Sequence, residues 1–170
     1  MRFVVQRVLN ASCSIDGNIV SGINKGYVVL IGISKDDNEE IADKMIKKLI
    51  NLRIFEDDNG KTNLSIDKVD GEIMLISQFT LYANCKKGNR PSFIEAGEPK
   101  AANRLYEYII SEVRANNINV ATGEFGADMK ISLINDGPFT ICLDSNELFW
   151  QKRSKGSIYI YVINISLSYR

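Results

Sequence analysis

The sequence predicts a single α/β domain with more strands than helices. A chain of 170 residues has the size of one domain and can bury a substantial core. Its composition, with 45% hydrophobic and 25% charged residues, is typical of a soluble globular protein. Apolar segments with strand propensity recur along the chain, and two segments repeat apolar residues at helical spacing. We assign residues 1–145 to this domain and residues 146–170 to a C-terminal extension of unknown role.

The first three predicted strands lie near the N-terminus. A long strand begins with residues 3–5 and ends at the turn signal Asp16-Gly17, and residues 19–23 form a short second strand. Residues 26–33 are continuously apolar, which is typical of a strand that is buried on both faces.

Two helices are predicted. The first begins near Asn38, and its first turn holds Glu39 and Glu40, where the helix dipole favours acidic side chains. The second starts around Pro99, a residue suited to the first helical turn, and ends at Asn116. The predicted core-facing stripes consist of Ile41, Met45, Leu49 and Leu52 in the first helix and of Ala101, Leu105, Tyr108, Ile109 and Val113 in the second.

The remaining strands are shorter. Residues 53–55 predict a short strand, and residues 73–76 predict a central strand that runs into residues 77–81. The last predicted strands are residues 130–134 and 139–143. After Ser145 the chain becomes basic and then apolar, which is compatible with an added edge strand, an oligomer contact or a poorly ordered extension.

The link between the last two strands contains a hairpin signal and a proline. Asp136-Gly137 between two apolar runs is typical of a tight turn. Pro138 removes a backbone donor and restricts Gly137 to extended conformations. Because most bonds before proline are trans in folded proteins, the local sequence favours a trans Gly137–Pro138 bond.

The absence of histidine limits the possible chemistry more than any other feature. It excludes Ser-His-Asp and Cys-His triads and zinc sites that need histidine ligands. An enzyme of this composition uses backbone, water or substrate groups in place of a conventional general base. Acidic residues such as Asp57 and Asp58 lie in a turn-like sequence, so we expect no metal site and no cofactor.

The charge balance confines any contact with nucleic acid to a local patch. The chain has 21 basic and 21 acidic residues, whereas proteins that bind nucleic acid without specificity are usually basic. Lys86, Lys87 and Arg90 form the best candidate patch, and Gly88 lets the backbone approach a phosphate. A solvated surface loop explains the same pattern equally well.

Cysteine usage and hydropathy favour a cytoplasmic protein. Cys13, Cys85 and Cys142 are far apart and form no CxxC pair, which fits a reducing compartment better than a disulfide scaffold. The first seven residues are typical of a strand and lack the apolar stretch of a signal peptide. No apolar run reaches the length of a transmembrane helix.

Six ordered motifs together resemble the D-aminoacyl-tRNA deacylase (D-tyrosyl-tRNA(Tyr) deacylase) family, although each alone has a structural explanation. The resemblance runs from Met1 to about Ser145 and departs from the family pattern at Phe139, where valine is more usual. The motifs are Gln-Arg-Val at 6–8, Asn-Leu-Arg-Ile-Phe at 51–55, Ser-Gln-Phe-Thr-Leu at 77–81, Arg-Pro-Ser-Phe at 90–93, Gly-Glu-Phe-Gly-Ala-Asp-Met at 123–129 and Asn-Asp-Gly-Pro-Phe-Thr at 135–140.

The resemblance implies the fold, the assembly and the activity. The implied fold is a three-layer α/β/β domain with largely antiparallel sheets and two main helices. The implied assembly is a homodimer with its sites at the subunit interface. The implied activity is hydrolysis of the ester bond in D-aminoacyl-tRNA, and we expect glycyl-tRNA to be cleaved as well. The partner is then the 3′ aminoacyl-adenosine end of tRNA, with no membrane.

The resemblance also implies the residues of the site. Ser77, Gln78, Phe79 and Thr80 form one wall of the pocket, and backbone N–H groups around Phe79 and Thr80 are the best candidates for binding an oxyanion. In this family the Gly-Pro segment is cis and reaches into the pocket of the partner subunit, where its carbonyls face the α-carbon and amino group of the substrate. The substrate-binding candidates are Gly137, Pro138, Arg7 as a support for that segment, and Met129 as a lining residue.

The mechanism that fits this composition has no protein nucleophile. An aminoacyl ester is already activated, so an oxyanion donor and a positioned water can suffice. Thr80 is the nucleophile candidate of the family, but no histidine is present to deprotonate it. We expect the 2′-hydroxyl of the terminal adenosine to assist the attacking water.

Three alternatives stay open at this point. The related deacylases that remove L-alanine from the wrong tRNA carry a trans Gly-Pro bond on the same fold. The second alternative is a non-catalytic tRNA- or nucleotide-binding module on this scaffold, and the third is a structural dimer whose motifs only pack strands.

Overall fold

The computed structural model describes residues 1–149, which form eight strands, three α-helices and two 3₁₀ turns. The strands are β1 (Arg2–Ile15), β2 (Asn18–Ile23), β3 (Gly26–Gly32), β4 (Phe55–Glu56), β5 (Thr62–Leu64), β6 (Glu72–Ser77), β7 (Val120–Thr122) and β8 (Met129–Asp144). The helices are α1 (Glu39–Ile50), α2 (Pro99–Ala115) and α3 (Ser145–Phe149), and the 3₁₀ turns are Ile66–Val69 and Phe79–Tyr82. The latter is called the 79–82 turn below.

Strand β1 is the central element of a six-stranded mixed sheet. It pairs antiparallel with β3 over Arg2–Val8 and with β2 over Ala11–Ile15, and it pairs with β8 along nearly its whole length. Since a strand has two edges, β2 and β3 share one edge of β1 and β8 occupies the other. Beyond β3 the sheet continues with β6 and β7, which are both parallel to their neighbours. Strands β4 and β5 form a separate two-stranded sheet.

Side-chain alternation on β3 and β6 divides the core into two layers. On β3, Val29 and Ile31 face the cluster that includes the buried residues of α1 and α2, whereas Val28 faces a second cluster. That second cluster also contains Val8, Ala11 and Cys13 of β1. The helices, the strands β3 and β6, and the later half of β1 with β2 and the first half of β8 therefore form three layers. The three-layer α/β/β prediction is confirmed.

Both predicted helices are present, and their caps follow the sequence. The Asn38 side chain accepts a hydrogen bond from the Ile41 backbone N–H at 3.0 Å, and the Glu98 side chain accepts one from the Ala101 N–H at 3.1 Å. The predicted stripes are partly wrong, because Leu52 lies beyond the end of α1 and Ala101 is exposed. The buried residues are Ala42, Met45, Ile46 and Leu49 in α1 and Ala102, Leu105, Tyr106, Ile109, Ile110 and Val113 in α2.

The prediction of two final strands joined by a tight turn is wrong. Residues 129–144 form the single strand β8, and both of its halves pair with β1. Val8 pairs with Asn135 and Gln6 pairs with Thr140, so residues 136–139 stand opposite Arg7 alone. The extra residues form a bulge, which interrupts the ladder and lets the segment project from the strand. The chain direction does not reverse at the Asp-Gly pair.

Other differences are small. The strand expected at residues 53–55 begins later, as β4, and its partner β5 was not predicted. Strand β7 and helix α3 were also missed, since both are short and lack a periodic pattern. The basic and apolar segments of the tail lie outside the described residues. Within residues 1–149, no helix is both long and apolar enough to cross a membrane.

We expect Ile109→Ala to lower the free energy of unfolding by about 2–5 kcal/mol, because the side chain is fully buried between α2 and the sheet. The matched control is Ile94→Ala, whose side chain is 79% exposed, with an expected change of about 0.5 kcal/mol or less. Urea unfolding measures both values. Equal losses in the two variants would contradict the assignment of α2 to the core.

Candidate active site

A cleft of about 600 Å³ opens at the carboxyl end of β6. Three parts of the chain that are distant in sequence line it. The ends of β3 and β6 contribute Ile31, Ile33, Ile76, Ser77, Gln78 and Phe79; the segment before and into α2 contributes Phe93, Ala96, Gly97, Pro99 and Ala102; and the start of β8 with its preceding loop contributes Phe125, Gly126, Ala127, Asp128, Met129 and Ile131. The cleft is mostly apolar, with a few polar groups near the end of β6, as is common for small-ligand sites.

The chain turns sharply after β6, where Phe79 lines the cleft and Thr80 follows it in the 79–82 turn. The Gln78 N–H donates to the Ile31 carbonyl at 2.7 Å, which ends the strand against β3. The Leu81 N–H then donates to the Gln78 carbonyl at 3.2 Å and closes the 79–82 turn. In the described part of the chain, the N–H groups of Phe79 and Thr80 have no backbone acceptor. This is the place where the sequence predicted oxyanion donors.

Tight packing against β3 fixes the position of the 79–82 turn. A Cβ added at Gly32 would lie 2.8 Å from the Leu81 Cβ and 3.3 Å from two carbons of the Tyr82 ring. The turn can approach the end of β3 this closely only because position 32 lacks a side chain. Any larger residue there would displace the turn that carries Phe79 and Thr80.

The Thr80 side chain is exposed and lies outside the lining of the cleft. Its hydroxyl oxygen accepts a hydrogen bond from the Gln78 side-chain amide at 2.5 Å. An amide N–H group cannot remove a proton from a hydroxyl, so this contact does not activate Thr80 as a nucleophile. The geometry supports a lining or positioning role for the Ser77–Thr80 segment.

Phe79 and Phe93 form an apolar edge beside the cleft. Their rings meet edge to face, with centroids 5.0 Å apart and planes inclined at 66°. Phe79 is 57% exposed, although it is a large aromatic residue. Both residues belong to motifs that carried the family resemblance, and the fold brings the motifs into contact.

Met129 lines the cleft at the first residue of β8. It packs over Gly123, because a Cβ added at Gly123 would lie 2.1 Å from the Met129 sulfur. Residues 123–129 therefore turn back on themselves beside the cleft. Gly126, inside this loop, has a positive φ of 81°, a conformation that favours glycine.

Gly137 and Pro138 do not line this cleft. Both are exposed at the bulge of β8. The peptide bond between them is cis, so the trans state that the local sequence favoured is wrong. The cis state is the one that the family resemblance implies.

Arg7 holds the residues on either side of the Gly137–Pro138 pair. Its side chain is almost completely buried, and its Nε lies 2.9 Å from the Asp136 carboxylate and 3.1 Å from the Asp136 carbonyl. Its guanidinium carbon lies 4.2 Å from the centre of the Phe139 ring. The Asn135 side-chain amide donates to the Arg7 carbonyl at 2.8 Å. The bulge is therefore anchored at both ends, and only its tip is exposed.

The basic loop leaves the 79–82 turn and returns at Phe93. Two backbone hydrogen bonds between Asn84 and Ser92, at 2.7 and 3.0 Å, close its base. Gly88 has a positive φ of 77°. The three predicted phosphate-binding residues, Lys86, Lys87 and Arg90, are all exposed in this loop, and none of them lines the cleft.

Sequence reasoning missed several lining residues. Ala96 and Gly97 approach the cleft because the Gly97 N–H donates to the Ile33 carbonyl at 2.9 Å. Ala127 and Asp128 lie beside Met129 in a motif from which only the methionine was assigned a role. No periodicity marks these positions, since they lie in loops whose partners are distant in sequence.

Comparison with known proteins identifies the family. The family model described as D-Tyr-tRNA(Tyr) deacylase matches residues 4–144. The chain belongs to this family. Proteins named D-aminoacyl-tRNA deacylase from Clostridium novyi and Thermosipho africanus are 54% and 50% identical to it, and each alignment covers 88% of this chain and 100% of the relative. One from Lactobacillus acidophilus is 54% identical, with 85% and 99% coverage.

Solved structures agree with membership in the D-Tyr-tRNA(Tyr) deacylase family. The chain superimposes on the c-Myc DNA Unwinding Element Binding Protein with a TM-score of 0.80 and 38% identity, covering 85% of this chain and 98% of that one. A probable eukaryotic D-amino acid tRNA deacylase has the same fold, with a TM-score of 0.73 at 17% identity and coverage of 84% and 97%.

Replacing Arg7 tests its support of the bulge. We expect Arg7→Met to lower the free energy of unfolding by about 2 kcal/mol, since it leaves the Asp136 carboxylate and the buried Ile54 carbonyl without their donor. The control is Arg53→Met, which removes only exposed contacts to Asn63 and is expected to change stability by about 0.5 kcal/mol. Urea unfolding of both variants gives the comparison, and equal values would show that Arg7 does not anchor the bulge.

Proposed function

We propose that this protein hydrolyses the ester bond between a D-amino acid and the 3′-terminal adenosine of tRNA. The observation that carries the proposal is the match of about half of all residues to D-aminoacyl-tRNA deacylases that are covered from end to end. The cleft beside β6 supports the same reaction, because Phe79 lines it and, among residues 1–149, the N–H groups of Phe79 and Thr80 meet no backbone acceptor. The relatives are named as deacylases of D-aminoacyl-tRNA.

The reaction needs few protein groups. A water molecule attacks the ester carbonyl carbon, and the N–H groups of Phe79 and Thr80 stabilise the negative charge that develops on the carbonyl oxygen. The bond to the ribose 3′ oxygen then breaks, and the proton released by the water is transferred to that oxygen. The neighbouring 2′-hydroxyl assists the transfer, because the chain has no histidine to do so.

We propose that the exposed tip of the bulge selects the D-enantiomer in the partner's cleft. Arg7 holds the residues on either side of Gly137 and Pro138, and this pair does not line the cleft of its own chain, so a homodimer gives it a site to enter. Leu9 and Ile134, which flank the bulge on β1 and β8, are 52% and 53% exposed, as is typical of residues that a subunit interface covers. Selection by backbone atoms ignores the identity of the side chain, so one enzyme clears many D-amino acids in the cytoplasm.

The basic loop is proposed to contact the phosphates of the tRNA acceptor end. Lys86, Lys87 and Arg90 are exposed in a loop whose two ends, at the 79–82 turn and at Phe93, border the cleft. Phosphate contacts from lysine and arginine position a nucleic acid without reading its sequence. This assignment accounts for RNA binding by a chain with no net charge.

Hydrolysis of matched D- and L-aminoacyl-tRNA tests the function. We expect the purified protein to release amino acid from D-tyrosyl-tRNA and to leave L-tyrosyl-tRNA intact, with spontaneous hydrolysis in buffer as the control. Glycyl-tRNA should also be cleaved, since glycine has no side chain that could clash with the main-chain atoms of Gly137 and Pro138. Cleavage of L-alanyl-tRNA in place of D-tyrosyl-tRNA would assign the chain to the L-alanine-specific branch of this fold. Binding without turnover would identify a binding module.

Substitution of Thr80 distinguishes direct attack by water from covalent catalysis by the Thr80 hydroxyl. We expect Thr80→Ala to keep turnover within about tenfold of wild type, because the hydroxyl has no base to activate it and the backbone N–H groups are unchanged. A tRNA that ends in 2′-deoxyadenosine and is charged on the 3′-hydroxyl should reduce the turnover of the wild-type protein more than the Thr80→Ala change does. Single-turnover kinetics with both substrates measures the two effects. Abolished turnover in a folded Thr80→Ala variant that still binds substrate would indicate covalent catalysis by Thr80.

A further inference from the structure

Arg2, near the start of β1, contacts the 79–82 turn at two points. Its Nη1 donates a hydrogen bond to the Leu81 carbonyl at 2.8 Å, and its guanidinium carbon lies 4.6 Å from the centre of the Tyr82 ring. These are the last two residues of the turn whose first two residues, Phe79 and Thr80, carry the unpaired N–H groups. One side chain therefore holds the far end of the turn that supplies the proposed oxyanion donors.

Asp144 fixes the Arg2 side chain in this position. Its Oδ2 accepts from the Arg2 Nε at 2.7 Å, and its Oδ1 accepts from the Asn146 backbone N–H at 2.9 Å. Arg2 and Asp144 are also paired residues in the β1–β8 ladder. The carboxylate is thus held at the start of α3, and the planar guanidinium fork bridges it to the Leu81 carbonyl.

The exposure of this ion pair indicates that stability is a minor part of its role. The Arg2 side chain is 41% exposed and that of Asp144 is 18% exposed. Ion pairs open to solvent contribute little to folding. The pair can still affect catalysis through the position of the 79–82 turn, because an oxyanion donor acts only when it points at the position where the charge develops.

We propose that Arg2 is a positioning residue for deacylation, which acts through Leu81 and Tyr82 on the direction of the Phe79 and Thr80 N–H groups. The proposal rests on the proposed function. It gives β1 two arginines with separate tasks. Arg2 orients the wall of its own cleft, and Arg7 supports the tip that enters the partner's cleft.

Steady-state kinetics of Arg2 variants on D-tyrosyl-tRNA tests the proposal. We expect Arg2→Met to lower kcat about tenfold and to leave KM within about twofold, since oxyanion donors stabilise the transition state more than the bound ester. Arg2→Lys keeps the charge but cannot span both partners, so its kcat should fall about threefold. The control is Arg53→Met, which makes the same chemical change at the β4–β5 sheet, with kcat unchanged.

A double-mutant cycle shows whether Arg2 and Asp144 act together. We expect Asp144→Asn to lower kcat about threefold, and the double variant with Arg2→Met to be no slower than Arg2→Met alone.

Amide NMR shifts of Phe79 and Thr80 should change in each Arg2 variant and stay constant in Arg53→Met. These shifts give a readout of the turn that does not depend on turnover.

The outcomes separate this proposal from the function on which it rests. A wild-type protein without activity on D-aminoacyl-tRNA would overturn both. A wild-type protein that is active, with Arg2→Met and Arg2→Lys equal to Arg53→Met in kcat and in the two amide shifts, would overturn the role of Arg2 alone. If Arg2→Met fails to fold, Arg2→Lys and Asp144→Asn test the positioning role in its place. A rise in KM with unchanged kcat in both variants would contradict that role and assign Arg2 to substrate binding.

Discussion

The antiparallel pairing of β1 with β8 is the interaction on which the rest of the structure depends. It joins residues near the two ends of the described chain, and it places Arg2 beside Asp144 at one end of the ladder and Met129 beside Ile15 at the other. Its one large irregularity, the bulge opposite Arg7, is also the segment that we assign to the partner's cleft. Because β2 and β3 share the opposite edge of β1, the same strand connects both core layers. A change in this register would disturb the fold and the site together.

The site that we propose uses backbone groups where most hydrolases use side chains. Within the described part of the chain, two N–H groups without a backbone acceptor follow β6, and Gly137 and Pro138 are exposed at the tip of the bulge. Backbone atoms carry no titratable group, so activity of this kind needs no histidine, and the chain has none. Their positions depend on the neighbours that hold them. Arg2 and Arg7 supply this support from one strand, each by contacts to a carbonyl and to an aromatic ring.

Local signals predicted the elements that are stabilised locally. The start of α1 near Asn38, the start of α2 at Pro99, the buried run of β3 and the central strand β6 all appear where the sequence placed them, since their patterns arise from neighbouring residues. The hairpin at Asp136-Gly137 was wrong for the converse reason. The Asp-Gly signal describes a preference of two residues, and pairing of both flanking segments with the distant strand β1 outweighs it.

The sequence by itself limited the chemistry that the protein can use and named a part of the residues that line the candidate site. The lack of histidine excluded the common hydrolytic triads, and the ordered motifs selected residues 77–80, Arg7, Met129 and the Gly-Pro pair. Only the tertiary structure showed that Phe79 meets Phe93 beside the cleft and that Gly137 and Pro138 do not line it. The physical reason is the range of the interactions. Contacts between residues far apart in the chain depend on strand register and layer packing, which no local pattern encodes.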